Sequence, residues 1–329
     1  MMRLAMDVVI RKWPMREPFA ISRGVQDEVP GLCLTLVDAK GAQGRGEACG
    51  VDYAGETPES MARQLGEVRA AIEAGPSREQ LLDLLPAGGA RFAVDSALWD
   101  LEAKQSGTPA FMLAGLKDMK PVDTAFTIGI RPIADYEAAA RARAGHRVLK
   151  LKVDGTDPLG AVRAARAGAP GSVFIIDPNQ SWTVEQLRHF APMLAELGVV
   201  LLEQPIPVGA EAGLDGYRCP IKLCADELID SVADLAKAVG RFDVINIKLD
   251  KAGGLTAGIG LAAAARAQGL GVMVGCMAGS SLAMAPATIL AQQADFVDLD
   301  GPLLQAEDWP HALRYDHGQI FPPTSALWG

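Results

Sequence analysis

The chain has 329 residues, 49% of them hydrophobic and 22% charged, which is enough to bury a large core and too long for one ordinary small domain. A formal net charge of −9, with Lys and Arg scattered and not blocked, offers no basic stripe to a phosphate backbone and argues against nucleic acid as a partner. The five cysteines, Cys33, Cys49, Cys219, Cys224 and Cys276, form no C-x-x-C pair, so they suggest neither a disulfide framework nor a zinc knuckle, and a reducing cytoplasm is the expected compartment.

At the amino terminus, charges break every apolar run through Pro14, which reads as a first strand and not as a signal peptide. Leu32 to Asp38 alternates about an apolar face and predicts another strand, and helical periodicity follows over Pro58 to Ala74 and Ala90 to Gln105. These elements predict a smaller domain ending near Leu116. From Asp123 onward, short apolar runs recur, each followed by a loop and an Ala-rich helical pattern. They are Thr124 to Ile128, Val148 to Lys152, Val173 to Asp177, Val199 to Glu203, Ile221 to Ala225, Val244 to Lys248, Gly271 to Gly275 and Phe296 to Asp300.

Eight such units predict a (β/α) barrel of the TIM type, with a doubly wound open sheet as the alternative. The uncharged stretch Ala267 to Ala294 is broken by glycines, by Pro286 and by polar Ser and Gln, so it predicts strand, loop and buried helix and not a membrane span.

The polar residues favour the barrel. Lys152, Asp177, Glu203, Asp226 and Lys248 fall at or just past five consecutive strand ends, where barrel active sites are built. Three carboxylates, Asp177, Glu203 and Asp226, then converge on one rim and repel one another unless a cation neutralises them. Hard oxygen ligands suit Mg²⁺ or Mn²⁺, and no His stands at these strand ends to suggest zinc. Taken singly, each acid could as well be a helix N-cap or a salt-bridge partner.

In Leu149-Lys150-Leu151-Lys152, period two places both ammonium groups on one face, which points inward in a barrel. An inward lysine either pairs with the carboxylates or loses its charge and becomes a base. Lys150 is placed to lower the pKa of Lys152 and to bind a substrate carboxylate, and Lys248, on the sixth strand, approaches from the opposite side of the ring. A lone K-x-K is otherwise an exposed strand end.

Lys150-Leu151-Lys152, Asp177 in DPNQSW, Glu203 in LLEQP, Asp226 in ADE and Lys248 in INIKLDKAGGL together resemble the muconate-lactonizing branch of the enolase superfamily, over nearly the whole chain. The resemblance implies an α+β capping domain, residues 1–116 joined by about 305–329, over a modified (β/α) barrel at 117–304. It also implies a metal, Mg²⁺ or Mn²⁺, held by Asp177, Glu203 and Asp226. The implied chemistry is removal of the proton α to a carboxylate through a metal-stabilised enediolate, with Lys152 and Lys248 as acid/base groups. No His base at the sixth or seventh strand end sets the chain apart from the mandelate-racemase-like branch.

Asp298-Leu299-Asp300 resembles the D-x-D with which dipeptide epimerases grip the substrate's free ammonium group, and period two points both carboxylates into one cavity. An acidic strand end feeding a turn is the alternative. Pro18 to Gly24 resembles the specificity loop of alanyl-glutamate epimerases, with Arg23 facing a substrate carboxylate. Gly46-Glu47-Ala48 and Gly55-Glu56-Thr57 fit the second capping loop. Val51-Asp52-Tyr53 between them lacks the basic residue of glutamate-selective members, and Gly279 replaces an acid found in many muconate-type relatives.

The expected function is therefore a dipeptide epimerase acting on a small-molecule substrate, without nucleic-acid or membrane partners and compatible with a homo-oligomer. The alternatives are an N-acylamino-acid racemase, o-succinylbenzoate synthase or cycloisomerase, or a non-catalytic barrel that binds a small acid.

Overall fold

The computed structural model describes residues 3–22 and 24–329. The chain opens with three antiparallel strands, β1 (Ala5–Ile21), β2 (Gly24–Val37) and β3 (Gln43–Ala48). In β2, Leu32, Leu34 and Leu36 alternate inward and are fully buried, as period two requires of a sheet with one covered face. The cover is the helix Gly89–Ser106, which is buried around nearly its whole circumference because it is sandwiched between this sheet and the barrel. Gly44 and Gly46 let strand and helix touch, since a Cβ at either would stand 2.1 Å from a helix carbonyl oxygen.

Two expectations for this part need correction. The helix predicted from Pro58 to Ala74 is split at Val68 into Pro58–Glu67 and Arg69–Glu73, and a further helix, Arg78–Leu84, went unpredicted. The latter begins at the capping box of Ser77 and Gln80, a signal present in the sequence.

After the short β4 (Val122–Asp123) come eight parallel strands. They are β5 (Ala125–Ile128), β6 (Val148–Lys152), β7 (Val173–Asp177), β8 (Val199–Glu203), β9 (Lys222–Ala225), β10 (Val244–Lys248), β11 (Gly271–Gly275) and β12 (Phe296–Val297). Each pairs with its sequence neighbour, in the order expected of a barrel and not of a doubly wound sheet.

The ring is nearly closed. Across the β12–β5 seam the bonds are Leu299 N donating to Thr124 Oγ1 (2.9 Å) and Thr127 N donating to Asp300 Oδ2 (2.6 Å), in place of a backbone ladder. Inside the ring the lower positions are apolar, with Ala125, Ile175, Leu201, Cys224, Val244 and Met273 forming one buried cluster.

Beyond the barrel the chain returns through β13 (Tyr315–Asp316) and β14 (Gln319–Ile320), which extend a small sheet from β4. It ends against the long helix of the first part, where Trp328 Nε1 donates to Ser96 O (3.0 Å) and Gly329 N to Asp100 Oδ1 (2.7 Å).

Two buried carboxylates join cap to barrel. Glu47 of β3 accepts from Trp13 Nε1 (3.0 Å), Ser280 Oγ (2.6 Å) and Trp309 Nε1 (2.7 Å). Asp95 of the long helix accepts from Thr256 N (3.1 Å) and Thr256 Oγ1 (2.5 Å) beyond β10. Among the described residues no helix is long and apolar enough to cross a membrane.

Burial pushes the Asp95 carboxyl up to about 6. A folded pKa above the unfolded one stabilises below about pH 4, and that contribution is lost as pH rises through about 6. Urea unfolding of wild type and Asp95→Asn should therefore show wild-type stability falling relative to the variant, by about 1–3 kcal/mol, between about pH 4 and pH 6.

Candidate active site

Period two along the barrel strands stacks the site. Above the apolar layer the inward positions become Lys150 and Lys152 on β6, Asp177 on β7, Glu203 on β8, Asn246 and Lys248 on β10, with Asp226 just past β9, all buried. Asp298 and Asp300 follow β12. The eighth strand is shorter than expected, so the alternation of a strand does not extend through Asp300, where the backbone turns into the helix Gly301–Leu304. Side-chain bonds across the seam hold both acids instead, and both still line the same cavity. That cavity, about 420 Å³, is also lined by Lys150, Lys152, Lys248 and Asn179, and is roofed by Phe19 and Ile21 of β1. Arg23 lies outside the described residues.

The lysines pair with the acids. Lys150 Nζ stands 3.0 Å from Asp177 Oδ2, 2.7 Å from Glu203 Oε2 and 2.8 Å from Asp298 Oδ2. Lys152 Nζ donates to Asp177 Oδ2 (2.6 Å) and Asn179 Oδ1 (2.9 Å), and Lys248 Nζ to Asp226 Oδ2 (2.6 Å). Of the two outcomes open to an inward lysine, pairing is the one realised. Burial alone would lower Lys150 and Lys248, but Asp177, Asp298 and Glu203 around the first and Asp226 and Glu203 around the second hold both well above the ordinary lysine value. Burial opposes ionisation of Asp177 and Asp226 too. Their lysine neighbours outweigh it and hold both below the usual carboxylate range, whereas burial and the nearby Asp177 push Glu203 up. Burial, then the charge of Asp298, raises Asp300.

As these side chains stand, no group of three His, Cys, Asp or Glu among the described residues surrounds a single cation position. The ammonium groups of Lys150, Lys152, Lys248 and Lys251 lie against Asp177, Glu203 and Asp226. The donor set nonetheless fits a hard divalent ion. Asp177, Glu203 and Asp226 are fully buried on three successive strand ends, and Glu203 Oε2 and Asp226 Oδ1 have ammonium groups as their charged neighbours, at 2.7 and 2.8 Å, with no well-aligned hydrogen bond from the described residues.

Four residues of the site escaped the sequence reading. Asn246, whose Nδ2 donates to Glu203 Oε1 (2.9 Å), lies two residues before Lys248, so period two already placed it on the inward face. Gly275 leaves room for it, since a Cβ there would stand 2.6 Å from the Asn246 side chain. Thr127, bonded to both Asp298 and Asp300, had the same period-two signal. Asn179 and Lys251 had none, because loop and helical turns bring them in.

Fold and site define a capped barrel of the enolase type, with buried acids and lysines at the carboxyl ends of its strands. Residues 4–115 match the mandelate racemase / muconate lactonizing enzyme N-terminal domain, and residues 134–326 the enolase C-terminal domain-like family. The chain belongs to this family.

It is 38% identical to the L-Ala-D/L-Glu epimerase of Escherichia coli (strain K12), over 94% of this chain and 96% of the relative. It is 44% identical to an N-acetyl-D-glutamate racemase of Pseudoalteromonas sp, over 76% and 79%. Among solved structures, it superposes with a TM-score of 0.96 on an enolase family member from Agrobacterium tumefaciens with homology to dipeptide epimerases, bound to sodium and L-Ala-L-Glu. The identity there is 38%, covering 99% of this chain and 100% of the other. A dipeptide epimerase from Methylococcus capsulatus, complexed with Mg and L-Arg-D-Lys, superposes with a TM-score of 0.87 at 29% identity, covering 98% and 97%.

Because Lys150 is the shared cation of three buried acids, Lys150→Met should cost about 3–5 kcal/mol in the metal-free protein. Urea unfolding in excess chelator measures it, and an unchanged midpoint would show that the three acids do not depend on this ammonium.

Proposed function

We propose that this chain is a dipeptide epimerase, inverting the carbon next to the terminal carboxylate by proton transfer between Lys152 and Lys248. One observation carries the mechanism. β6 and β10 stand four places apart in the eight-strand order, so the two lysines reach the cavity from opposite sides of the ring. An α-carbon between them would lose its proton to one lysine, become planar, and gain a proton from the other on the opposite face. The family and the epimerases among its relatives supply the reaction class.

Asp177, Glu203 and Asp226 would hold a divalent ion, Mg²⁺ or Mn²⁺, whose charge stabilises the negative charge that develops on the substrate carboxylate. Lys150 orients that carboxylate. Each of Lys152 and Lys248 takes the α-proton of the stereoisomer whose hydrogen faces it, and the other lysine delivers a proton to the opposite face, giving the inverted isomer. Asp298 and Asp300 hold the substrate's ammonium group, and Arg23 keeps the role its loop suggests, facing a substrate carboxylate. The cap, residues 1–116 with about 305–329, closes over the barrel at 117–304; the contacts of Trp328 and Gly329 with the long helix support this division. Five free thiols support a cytoplasmic location.

A second reading, an N-acylamino-acid racemase, is favoured by the 44% identical racemase of N-acetyl-D-glutamate. It keeps both lysines and differs at the amino group.

Incubating the enzyme with L,L-dipeptides and Mg²⁺ in D₂O should add mass at the terminal residue, and excess chelator should abolish this. Lys152→Ala and Lys248→Ala should each lose epimerisation by at least about 10²-fold, yet each should still exchange the α-proton of one stereoisomer. Loss of exchange for both isomers in both variants, with fold and metal intact, would argue against two bases.

N-acetylating the best dipeptide removes the cation that offsets Asp298 and Asp300, so kcat/KM should fall by at least about 2 kcal/mol, roughly 30-fold. Equal turnover of the acetylated form would make the N-acylamino-acid racemase the better reading.

A further inference from the structure

The first turn after β10 carries a lysine that the cavity does not touch. Lys251, in the short helix Leu249–Ala252, is 2% exposed and lies behind Asp226. Its ammonium stands 2.8 Å from Asp226 Oδ1 and donates to two backbone carbonyls, those of Ile229 (2.9 Å) and of Asp226 itself. The other oxygen of the same carboxylate, Oδ2, takes Lys248 Nζ at 2.6 Å. Asp226 is therefore shared by two lysines that differ in what else holds them.

Lys248 lines the cavity, and among the described residues its ammonium donates one hydrogen bond, to Asp226 Oδ2. Lys251 is tethered three ways, on a turn that is itself clamped. Asp250 Oδ1 accepts from Cys49 N and Gly50 N, both at 2.9 Å, and Arg91 donates to Ala252 O (2.7 Å) and Gly253 O (3.0 Å).

We propose that Lys251 is a positioning residue, the fixed counter-charge on Asp226 Oδ1 that turns Oδ2 toward Lys248 and leaves Lys248 the mobile member of the pair. A buried carboxylate with one immobile cation needs a second one less. Without Lys251 the whole attraction of Asp226 falls on Lys248 and holds its ammonium away from the substrate. The inference rests on the reading of Lys248 as one of two proton-transfer groups.

Lys251→Gln separates charge from tethering, because the amide can still donate to a carbonyl while carrying no charge. In this variant, exchange of the isomer served by Lys248, identified from the single-base variants, should fall at least about tenfold. Exchange of the isomer served by Lys152 should fall less than about threefold. Mn²⁺ binding, read without substrate from the free-ion electron paramagnetic resonance signal, should tighten at least about threefold, since a positive charge beside Asp226 is gone. Lys251→Arg, which keeps the charge, should return both readouts toward wild type.

Equal losses for both isomers together with weaker Mn²⁺ binding would show a purely structural lysine and overturn the proposal. So would a Gln variant that does not fold while the Arg variant does, because the charge would then serve folding. Failure of the wild type to exchange either isomer would instead count against the proposed function, which separates the two.

Discussion

Burying charge in a nearly closed ring is the constraint on which the rest of this structure depends. Five carboxyl groups, Asp177, Glu203, Asp226, Asp298 and Asp300, and four lysines, Lys150, Lys152, Lys248 and Lys251, are packed into one end of a barrel whose other end is apolar. Leaving any of them unpaired costs several kcal/mol, so the lysines pair with Asp177, Glu203, Asp226 and Asp298 at 2.6 to 3.0 Å, while Asp300 accepts from Thr127 N and has its pKa raised by burial. The same arrangement suits chemistry. Groups held at such cost are poised to trade partners when a substrate or cation brings charge of its own, and a dry cavity strengthens every such interaction.

The cap answers to the same constraint by another route. Glu47 is as buried as the acids of the site, yet it is satisfied by indole, hydroxyl and amide donors from β1, the loop after β11 and the C-terminal segment. Its desolvation is offset by hydrogen bonds alone, and burial raises its pKa accordingly. What results is a join between cap and barrel that draws on no charge from the cavity. The β1–β2 hairpin is similarly tied to the barrel rim, Ile130 N donating to Ala20 O (2.8 Å) and Ser22 Oγ to Asn179 O (3.3 Å). Phe19 and Ile21 are thereby placed over the charged floor.

Much of the site was legible because a strand side chain has only two directions. Lys150, Lys152, Asp177, Glu203 and Lys248 sit on strands whose alternation was visible in single runs of five residues, and the same rule, carried two residues back from Lys248, would have added Asn246. Asp298 and Asp300 ended in the expected cavity by different means. A strand that stops at Val297 cannot orient them by alternation, and contacts with Thr127 across the seam do so.

The sequence by itself determined the barrel order, the acids at successive strand ends, the opposed lysines and the family, since each depends on local periodicity or on motif residues that recur in fixed spacing. Only the tertiary structure decided which partner each charge takes. It put Lys251 behind Asp226, Asn179 against Lys152, and Glu47 within reach of Trp309, 262 positions along the chain. Pairings of this kind depend on how helical turns and loops fold back over the ring. No one-dimensional period encodes them, because the partners are selected by the cost of leaving a buried charge or donor alone.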